Sequence, residues 1–465
     1  MNELNVNLTD SQNIALNGML NWVKLNSNNP EDLFCVLTGF AGTGKTFLLK
    51  YFVEVGNLRN FVITAPTHKA KKVASKATQF PSKTIQSLLG LRPDVNMEFF
   101  DINRPVFNPS ADETIREYKY VFVDECSMIG DKNPSGEDKK GLFTFITNIA
   151  IKYKIKIIFT GDRYQALPIN EGLSKVFKLK HQFNLTTIVR QDESNPNIPI
   201  FNMLRNDIDR NSNTALAYIY KNPSKVDELG EGYLALSPDN FTKALVSQFC
   251  KTEALYDVDY IKYVAYTNKS VAKACKGIRD KRIGEEASNI LVKEDFLIGY
   301  NTIVKDSRES FYTILENSED YTIDLISSII TEYNIECFNV RLKNSEGDYS
   351  NVNVVKPESY SKFLEIFRSK LNIAKERRGR YWEYYYKFKN DHLLLEDFYY
   401  PNGKIEIKKD LYYGYGITSH KSQGSTYTNV AVNVKNMLGI RKVNERNRLL
   451  YVAMSRTSKL NILNI

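Results

Sequence analysis

Gly39-Phe40-Ala41-Gly42-Thr43-Gly44-Lys45-Thr46 is a glycine-rich stretch between an apolar run, residues 33–37, and a helix-compatible segment, residues 47–52. In the order strand, glycine loop and helix, such a stretch forms a phosphate-binding loop, because its backbone N–H groups converge on phosphate oxygens at the helix N-terminus. Lys45 is then expected to reach the β- and γ-phosphates and the Thr46 hydroxyl to ligate Mg²⁺. The pattern predicts that the chain binds a nucleoside triphosphate, with Gly39, Gly42, Thr43 and Gly44 lining the phosphates.

A pair of carboxylates, Asp124 and Glu125, follows the apolar run 120–123. Mg²⁺ prefers hard oxygen ligands, so we assign Asp124 to the metal, opposite Thr46. An adjacent carboxylate can position and deprotonate the attacking water, and we assign this role of general base to Glu125. The pair indicates hydrolysis of the triphosphate, because a kinase would not need it.

Short apolar runs alternate with helix-like segments over the first 190 residues. The runs lie at 33–37, 61–65, 120–123 and 155–160. Strands that are apolar on both faces predict a parallel sheet covered by helices on both sides. Ligands of such sheets bind at the carboxyl ends of the strands, which is where the polar motifs fall.

A second α/β pattern appears late in the chain. We expect strands at 261–267, 412–418, 429–434 and 449–453. Between about 290 and 410 the sequence changes to β-like segments, 321–324 and 352–355, followed by a charged, aromatic helix-like run at about 357–396. This middle region is interpreted as an insertion into the second α/β domain. Residues 91–118, rich in Pro and Phe, are interpreted as an inserted hairpin or loop.

The composition is that of a globular protein of several domains, with 465 residues of which 42% are hydrophobic and 25% charged. The net charge of +9 permits nucleic-acid binding without requiring it. Five cysteines without C-x-x-C spacing argue against a disulfide framework or a zinc site and for a reducing compartment. The sequence has no apolar stretch approaching the roughly 20 residues of a membrane span. It begins without a basic, apolar leader, so we expect a cytoplasmic protein.

Three further residues stand beside apolar runs. Gln165 follows the run at 155–160 and is placed where a sensor of the γ-phosphate would lie. Arg190 and Arg456 have guanidinium groups suited to the charge that phosphoryl transfer spreads over the γ-oxygens. From the residues alone, surface or interdomain ion pairs are the more common role of such arginines.

Taken together, the motifs resemble those of the superfamily 1 DNA helicases, in the RecD-like branch, in the same order and over nearly the whole chain. The similar segments are Leu8-Thr9-Asp10-Ser11-Gln12, the phosphate loop, Thr64-Ala65-Pro66-Thr67-His68-Lys69-Ala70, Asp124-Glu125-Cys126-Ser127-Met128, Gly161-Asp162 with Gln165 and Pro168, Ala265-Tyr266-Thr267-Asn268-Lys269, Thr418-Ser419-His420-Lys421-Ser422-Gln423-Gly424-Ser425-Thr426, and the segments around Arg190 and Arg456.

The resemblance implies a role for each matched residue. Gln12 would read the adenine, Gly424 would contact the nucleotide, and Arg190 and Arg456 would both bind the γ-phosphate. The cofactors would be ATP and Mg²⁺. The partners would be single-stranded DNA and its junctions with duplex. The protein would act as a monomer and move 5′→3′ along the strand. Replication or single-strand-binding proteins are further expected partners, and a membrane is not. The implied DNA contacts are Pro66, Thr67, His68, Lys69, Asn268, Thr418, His420 and Lys421.

The resemblance also implies an α/β fold of two RecA-like parallel-sheet P-loop domains that carry insertions. The first domain would span 1–190, with a pin-like hairpin at 91–118. The second would combine 191–289 and 411–465, interrupted at 290–410 by a β-rich, SH3-like insertion with a helical arm. Phe99 or Phe100 would act as the wedge that separates strands, although burial of both rings on the domain is equally compatible with the sequence.

Some alternatives remain open from the sequence. The basic and aromatic run 375–389 suits a groove for single-stranded DNA, but an arm whose aromatic rings pack inward is favoured. A DNA-stimulated ATPase that displaces bound proteins without unwinding would share every motif. A nucleotide-gated module that only binds single strands is a third reading, and RNA is not excluded as the substrate.

Overall fold

The computed structural model describes residues 7–26, 28–66, 68–93, 107–109, 114–131, 141–168, 171–189, 194–307 and 310–465. Two compact units are present. The first is drawn from Met1–Arg92, Phe107–Ser237 and Ser422–Ile465, and the second consists mainly of Pro238–Lys421.

The helices and strands are numbered in chain order. The helices are α1 (Asp10–Val23), α2 (Lys45–Val55), α3 (His68–Thr78), α4 (Ile85–Leu88), α5 (Leu142–Tyr153), α6 (Asn197–Arg210), α7 (Thr214–Lys221), α8 (Pro238–Phe249), α9 (Thr252–Tyr256), α10 (Asn268–Ile283), α11 (Tyr360–Arg377), α12 (Tyr381–Asp391), α13 (Val434–Leu438) and α14 (Val443–Met454). The strands are β1 (Phe34–Gly39), β2 (Phe61–Ala65), β3 (Ser82–Thr84), β4 (Leu91–Pro93), β5 (Phe107–Pro109), β6 (Tyr120–Val123), β7 (Lys156–Gly161), β8 (His181–Leu185), β9 (Ser224–Val226), β10 (Gly232–Leu236), β11 (Ile261–Ala265), β12 (Phe296–Gly299), β13 (Ile303–Ser307), β14 (Ser310–Leu315), β15 (Asp320–Ile330), β16 (Glu336–Asn344), β17 (Tyr349–Val355), β18 (Phe398–Tyr399), β19 (Ile405–Ile407), β20 (Leu411–Tyr413), β21 (Gly416–Thr418), β22 (Tyr427–Val432) and β23 (Thr457–Asn464).

The first unit is built around a six-stranded sheet in the order β3-β2-β6-β7-β1-β8. Each neighbouring pair is parallel. All four strands expected in this region are present, so the prediction of a parallel sheet is confirmed. The strand β1 lies between β7 and β8, and the glycine loop leaves its carboxyl end.

The two faces of this sheet bury two separate cores, because successive side chains of a strand point to opposite faces. On β1, Phe34 and Val36 belong to one core, whereas Cys35 and Leu37 belong to the other. The helices α1 and α2 contribute to the second core, with Trp22 and Phe52 each no more than 2% exposed. Burial on both sides is why the strands read as continuous apolar runs.

A further set of strands in the first unit combines residues 224–236 with residues 427–464. The strands β22, β23 and β10 are parallel, and β9 pairs antiparallel with β10. The expected strand at 429–434 is confirmed as β22, which runs Tyr427–Val432.

The expectation of a strand at 449–453 was wrong, because these residues lie within helix α14. Every side chain from Asn447 to Met454 is buried. A helix that is enclosed on all sides has no polar stripe, so its apolar run has the same periodicity as a buried strand. The strand of this region is instead β23, which begins at Thr457.

The second unit contains a parallel pair, β11 and β21, and a five-stranded antiparallel sheet in the order β17-β16-β15-β12-β20. The β-like segments expected at 321–324 and 352–355 are confirmed within β15 and β17. The single strand expected at 412–418 is two strands, β20 and β21. The break lies at Gly414, where the chain leaves the pairing of β20 with β12 and enters the pairing of β21 with β11. An added Cβ on Gly414 would come within 2.9 Å of the Leu297 carbonyl oxygen, so the backbone passes close to β12 at this point.

The helical run expected at about 357–396 is confirmed as α11 and α12. Trp382, Tyr385 and Phe388 of α12 are buried in a core shared with Phe363 and Phe367 of α11. The favoured reading of an arm with inward-packed rings is therefore confirmed for these three side chains. Tyr384 remains 52% exposed.

Two more observations bear on the expectations. The strands β4 and β5 pair as a two-stranded sheet at the base of the expected hairpin, while Phe99 and Phe100 lie outside the described residues. Among the helices that the structure describes, none combines the length and the apolar character needed to cross a bilayer.

Lys156, at the start of β7, is a buried cation that ends helix α1. Its ammonium group donates to the carbonyl oxygens of Trp22 at 2.8 Å, Val23 at 2.9 Å and Leu25 at 2.9 Å, and lies 4.7 Å from the Trp22 ring. A helix leaves its last carbonyl groups unpaired, and a cation there also matches the negative end of the helix dipole.

We expect Lys156→Met to lower the free energy of unfolding by about 1–3 kcal/mol, because it keeps the aliphatic stem but leaves buried carbonyl groups unpaired. Equilibrium unfolding in urea measures the change. The exposed Lys119 next to β6 provides the matched control, and Lys119→Met is expected to stay within about 0.5 kcal/mol of the unchanged protein. Equal stabilities of the two variants would contradict the capping role.

Candidate active site

The candidate site lies at the carboxyl edge of the parallel sheet in the first unit. The glycine loop follows β1, Asp124 follows β6, and Asp162 follows β7. In the sheet order β6-β7-β1, the three segments leave adjacent strands at the same edge. The predicted clustering of these motifs is confirmed by this topology.

The glycine loop has the geometry of a phosphate cradle. Gly42 and Gly44 have φ of 83° and 80°, a region that glycine adopts without steric cost, and α2 begins at the next residue, Lys45. The Thr43 hydroxyl donates to the Phe40 carbonyl oxygen at 2.9 Å. The Lys45 ammonium group donates to the carbonyl oxygens of Gly39 at 2.8 Å and Phe40 at 3.0 Å.

Gln12 supports the loop from helix α1. Its Nε2 donates to the Thr43 carbonyl oxygen at 3.2 Å, and its Oε1 accepts from the Thr9 backbone N–H at 3.0 Å in a capping box. An added Cβ on Gly44 would lie 2.8 Å from Gln12 Nε2, so the amide is packed directly against the loop. In this conformation both ends of the side chain are engaged by backbone groups.

Asp124 and Glu125 occupy different environments although they are neighbours. Asp124 Oδ1 accepts from the Thr160 hydroxyl at 2.5 Å and from the Glu125 backbone N–H at 2.9 Å. Glu125 adopts a left-handed backbone conformation with φ of 51°, and its Oε2 is buried without a hydrogen-bond partner among the described residues. Left-handed conformations of residues other than glycine are strained and concentrate at functional sites.

The buried position of Glu125 changes its ionisation. Burial, followed by the neighbouring Asp124 carboxylate, raises the pKa of Glu125 to about 7, while Arg456 and Lys45 act in the opposite direction. A general base is most effective when its pKa lies near the working pH. The local electrostatics therefore fit the role that the sequence predicts for Glu125.

Arg456 and Gly424 come to this site from the carboxyl-terminal part of the first unit. Arg456 is 4% exposed, and its guanidinium donates to the carbonyl oxygen of Val452 at 3.0 Å and to the Ser455 hydroxyl at 3.0 Å. Gly424 has φ of 77°, and an added Cβ would lie 3.8 Å from Glu125 Oε1. Both segments therefore reach the carboxylate pair.

Three residues of this region were not among the predicted site residues. Gln423 Nε2 donates to Gln165 Oε1 at 3.1 Å. Arg448 of α14 donates to the carbonyl oxygens of Arg163 and Gln165. The Tyr451 hydroxyl donates to Asp162 Oδ2 at 2.7 Å and accepts from the Ala41 backbone N–H of the glycine loop at 3.2 Å.

The sequence offered little signal for this group. Gln423 stood within the matched segment 418–426. Tyr451 lay inside the run 449–453 that was interpreted as a strand, and Arg448 directly precedes that run. Through Tyr451, one buried hydroxyl joins the glycine loop to the segment that carries Gln165.

Phe40, the second residue of the glycine loop, is held by aromatic and cationic contacts. The Arg205 guanidinium lies 3.7 Å from the centre of the Phe40 ring, and the Tyr164 ring lies 5.9 Å from it. Arg205, on α6, is 7% exposed. Helices α6 and α14 thus fix the first half of the loop, Phe40 by ring contact and Ala41 by a hydrogen bond.

The residues present fit a triphosphate with Mg²⁺. Positive-φ glycines at a helix N-terminus expose backbone N–H groups, and Lys45 can exchange carbonyl partners for phosphate oxygens. Glu125 Oε2 and the hydroxyls of Ser127 and Ser425 are buried polar atoms without partners in the described part of the chain. The oxygen donors expected for the metal, Thr46 and Asp124, are the hard ligands that Mg²⁺ prefers.

The predicted DNA contacts are only partly described. Arg190, Thr67, Phe99 and Phe100 lie outside the described residues, as do the side chains of His68 and Lys69; Pro66, at the end of β2, is partly buried. In the second unit, Thr418 ends β21, and the rings of His420 and Tyr266 lie 6.2 Å apart. Asn268 is exposed at the start of α10, and Lys421 is partly buried.

Two family models and two relatives are similar to this chain. A model of the AAA domain matches residues 26–221, and a model of the UvrD-like helicase C-terminal domain matches residues 413–463. An uncharacterized protein of Acanthamoeba polyphaga mimivirus is 25% identical over 514 residues, covering 96% of this chain and 98% of that protein. The ATP-dependent DNA helicase Dda of Enterobacteria phage T4 is 28% identical over 318 residues, covering 66% of this chain and 63% of the phage protein.

Solved structures show weaker similarity. The Pif1 helicase from Bacteroides in complex with ADP-AlF3 and single-stranded DNA has a TM-score of 0.49 at 18% identity, covering 98% of this chain and 92% of that one. Pif1 from Candida albicans has a TM-score of 0.48 at 16% identity, covering 99% and 95%. The similarity to helicases therefore rests on the sequence matches and the motifs.

The glycine loop, the carboxylate pair and the parallel sheet define a P-loop nucleoside triphosphatase. The order of its motifs, the two family models and the similarity to phage T4 Dda narrow this class further. In the order of its motifs and in these matches the chain is similar to the superfamily 1 helicases.

We expect ATP hydrolysis to rise with pH through a midpoint near 7, because Glu125 must be ionised to accept a proton and its raised pKa leaves it protonated below that value. A pH profile of kcat/KM measures this acid limb. Glu125→Gln should lower kcat by about 10²- to 10⁴-fold while nucleotide binding persists. A flat profile between pH 6 and 8, which brackets about one unit on each side of the midpoint, would contradict the assignment.

We expect Tyr451→Phe to raise the KM for ATP by about 5- to 30-fold, because loss of one buried hydroxyl costs about 1–2 kcal/mol and unties the glycine loop from Asp162. Steady-state ATPase kinetics measure the split between KM and kcat. Tyr164→Phe is the matched control, since its hydroxyl bonds the exposed Asp209 at 2.8 Å. An unchanged KM in Tyr451→Phe, or an equal change in the control, would refute the positioning role.

Proposed function

We propose that the protein is an ATP-dependent DNA helicase that moves 5′→3′ on single-stranded DNA and separates duplex ahead of it. The observation that carries the proposal is the assembly, in one unit, of a buried base with raised pKa, the lysine of the glycine loop and the arginine at the end of α14. This set is needed to hydrolyse a triphosphate and exceeds what is needed only to bind one. The choice of DNA as the substrate is supported by the name of phage T4 Dda, an ATP-dependent DNA helicase.

The residues of the first unit perform distinct parts of the reaction. Lys45 binds the β- and γ-phosphates, Glu125 accepts the proton of the attacking water, and Arg456 stabilises the charge that develops on the γ-oxygens. Mg²⁺, when held by Thr46 and Asp124, would neutralise charge on the phosphate oxygens. Arg190 is assigned a second γ-phosphate contact by the resemblance alone.

Coupling of hydrolysis to movement is proposed to pass through Gln165. Its side chain accepts from Gln423 and its carbonyl oxygen accepts from Arg448, so two carboxyl-terminal segments meet at this one residue. Contacts that exist only with triphosphate bound provide a differential free energy between two conformations, and hydrolysis removes it. We propose that the RecA-like domains close and open in this cycle while DNA is gripped alternately, with Thr418, His420 and Lys421 on one of the gripping surfaces.

We expect Lys45→Ala to abolish both ATP hydrolysis and unwinding, because the phosphate loop loses its cation. Arg456→Ala should lower kcat for hydrolysis by about 10³-fold or more while nucleotide affinity persists, since the guanidinium acts on the transition state. Arg456→Lys serves as the second variant if removal of the buried side chain unfolds the protein. Retention of wild-type kcat in both arginine variants would exclude the catalytic role.

Unwinding of a fluorescent duplex with a 5′ single-stranded tail, compared with a 3′ tail, tests activity and direction together. We expect ATP-dependent strand separation from the 5′-tailed duplex only. Hydrolysis stimulated by DNA without strand separation would point to a translocase that displaces proteins. An equal rate of strand separation with RNA in place of DNA would extend the proposed substrate to RNA. A rate of ATP hydrolysis that does not change when nucleic acid is added would refute the proposal that the protein is a nucleic-acid motor.

A further inference from the structure

Two lysines of the second unit lie over one aromatic ring, and a third lysine acts electrostatically on one of them. Tyr300 follows β12, Lys408 and Lys409 lie between β19 and β20, and Lys421 follows β21. The Lys421 ammonium group lies 4.2 Å from the centre of the Tyr300 ring, and that of Lys409 lies 5.0 Å from it. The Tyr300 backbone N–H donates to the Asp410 carbonyl oxygen at 2.8 Å, which ties the backbone of Tyr300 to the segment that carries Lys408 and Lys409.

The position of Lys421 is electrostatically unfavourable for its charged form in the protein alone. Burial, followed by the charges of Lys408 and Lys409, lowers the pKa of Lys421 to about 8. Lys421 donates to a neutral group, Asn317 Oδ1, at 3.3 Å. The carboxylate that pairs with Lys409 is Asp397, at 3.7 Å. Positive charges that repel one another at a partly buried position are stabilised when an anion binds between them.

The surroundings favour a phosphate of a nucleic-acid strand as that anion. Lys421 directly follows His420, whose ring lies 6.2 Å from that of Tyr266. Cations that hold the backbone next to aromatic rings that accept a base form the repeating arrangement of single-strand grooves. Lys408 is exposed, so the cluster is open to solvent on at least one side.

We propose that Lys408, Lys409 and Lys421 hold one backbone phosphate of single-stranded DNA, with the Tyr300 ring beside the ammonium groups of Lys409 and Lys421. This inference rests on the proposed function and adds to it a contact from the inserted sheet, through Tyr300, Lys408 and Lys409, to the segment 418–421. The insertion then grips the strand directly and does not serve only as a brace for other elements.

The salt dependence of binding tests the proposal. The logarithm of the association constant for oligothymidylate falls with the logarithm of salt concentration, with a slope of about −0.7 per neutralised phosphate. One phosphate is held by several cations, so we expect Lys408→Ala to make this slope shallower by a fraction of that value. We expect the double variant, Lys408→Ala with Lys409→Met, to make the slope shallower by about 0.7. Fluorescence anisotropy measures both, with thermal unfolding as a check on the double variant.

Lys404, exposed in the turn between β18 and β19, provides the matched control in the same unit. Lys404→Ala is expected to keep both the affinity and the slope of the unchanged protein. Because Lys408 is exposed, its replacement by Ala is expected to leave the fold intact. If Lys408→Ala then shows the same affinity and slope as Lys404→Ala, the phosphate site is refuted even when the double variant fails to fold. If the unchanged protein does not bind oligothymidylate at all, the proposed function fails instead, so the two failures are distinguishable.

Discussion

One buried hydroxyl group ties the first unit together. Tyr451 donates to Asp162 and accepts from Ala41, so residues 289 and 410 positions apart in sequence share a single polar atom. A phenol enclosed at 0% exposure can neither turn to solvent nor leave its partners unpaired without a cost of about 1–3 kcal/mol. The phosphate loop, the segment that carries Gln165 and helix α14 are therefore coupled in position.

The electrostatics of the catalytic centre depend on this arrangement. Glu125 is kept partly protonated near neutral pH by burial and by Asp124, while Lys45 and Arg456 favour its ionised form. Arg456 can act on Glu125 because α14 brings it there. Helix α14 therefore holds the glycine loop through Tyr451 and also places Arg456, which favours the ionised form of Glu125. The lysine cluster of the second unit shows the opposite sign of the same effect, since burial and neighbouring cations lower the pKa of Lys421.

The fold of the first unit could be predicted well because strands β1, β2, β6 and β7 are buried on both faces and read as short apolar runs. The glycine loop and Asp124-Glu125 could be predicted because their chemistry requires particular residues at fixed places after those runs. Helix α14 could not be predicted, because the burial of every side chain from Asn447 to Met454 removed the polar stripe that distinguishes a helix from a strand. The change of sheet at Gly414 was also missed, since both flanking strands are apolar and the break depends on a close approach to Leu297.

The sequence by itself determined that a phosphate loop follows a buried parallel strand and that two carboxylates end another, because these patterns depend on neighbouring residues. It also determined, through motif order, the helicase resemblance. Only the tertiary structure decided that Tyr451 and Arg448 hold the loop and the Gln165 segment, and that Lys409 and Lys421 meet at Tyr300. These contacts join residues far apart in the chain, and a local pattern carries no information about which distant side chain completes a hydrogen bond or shares a charge.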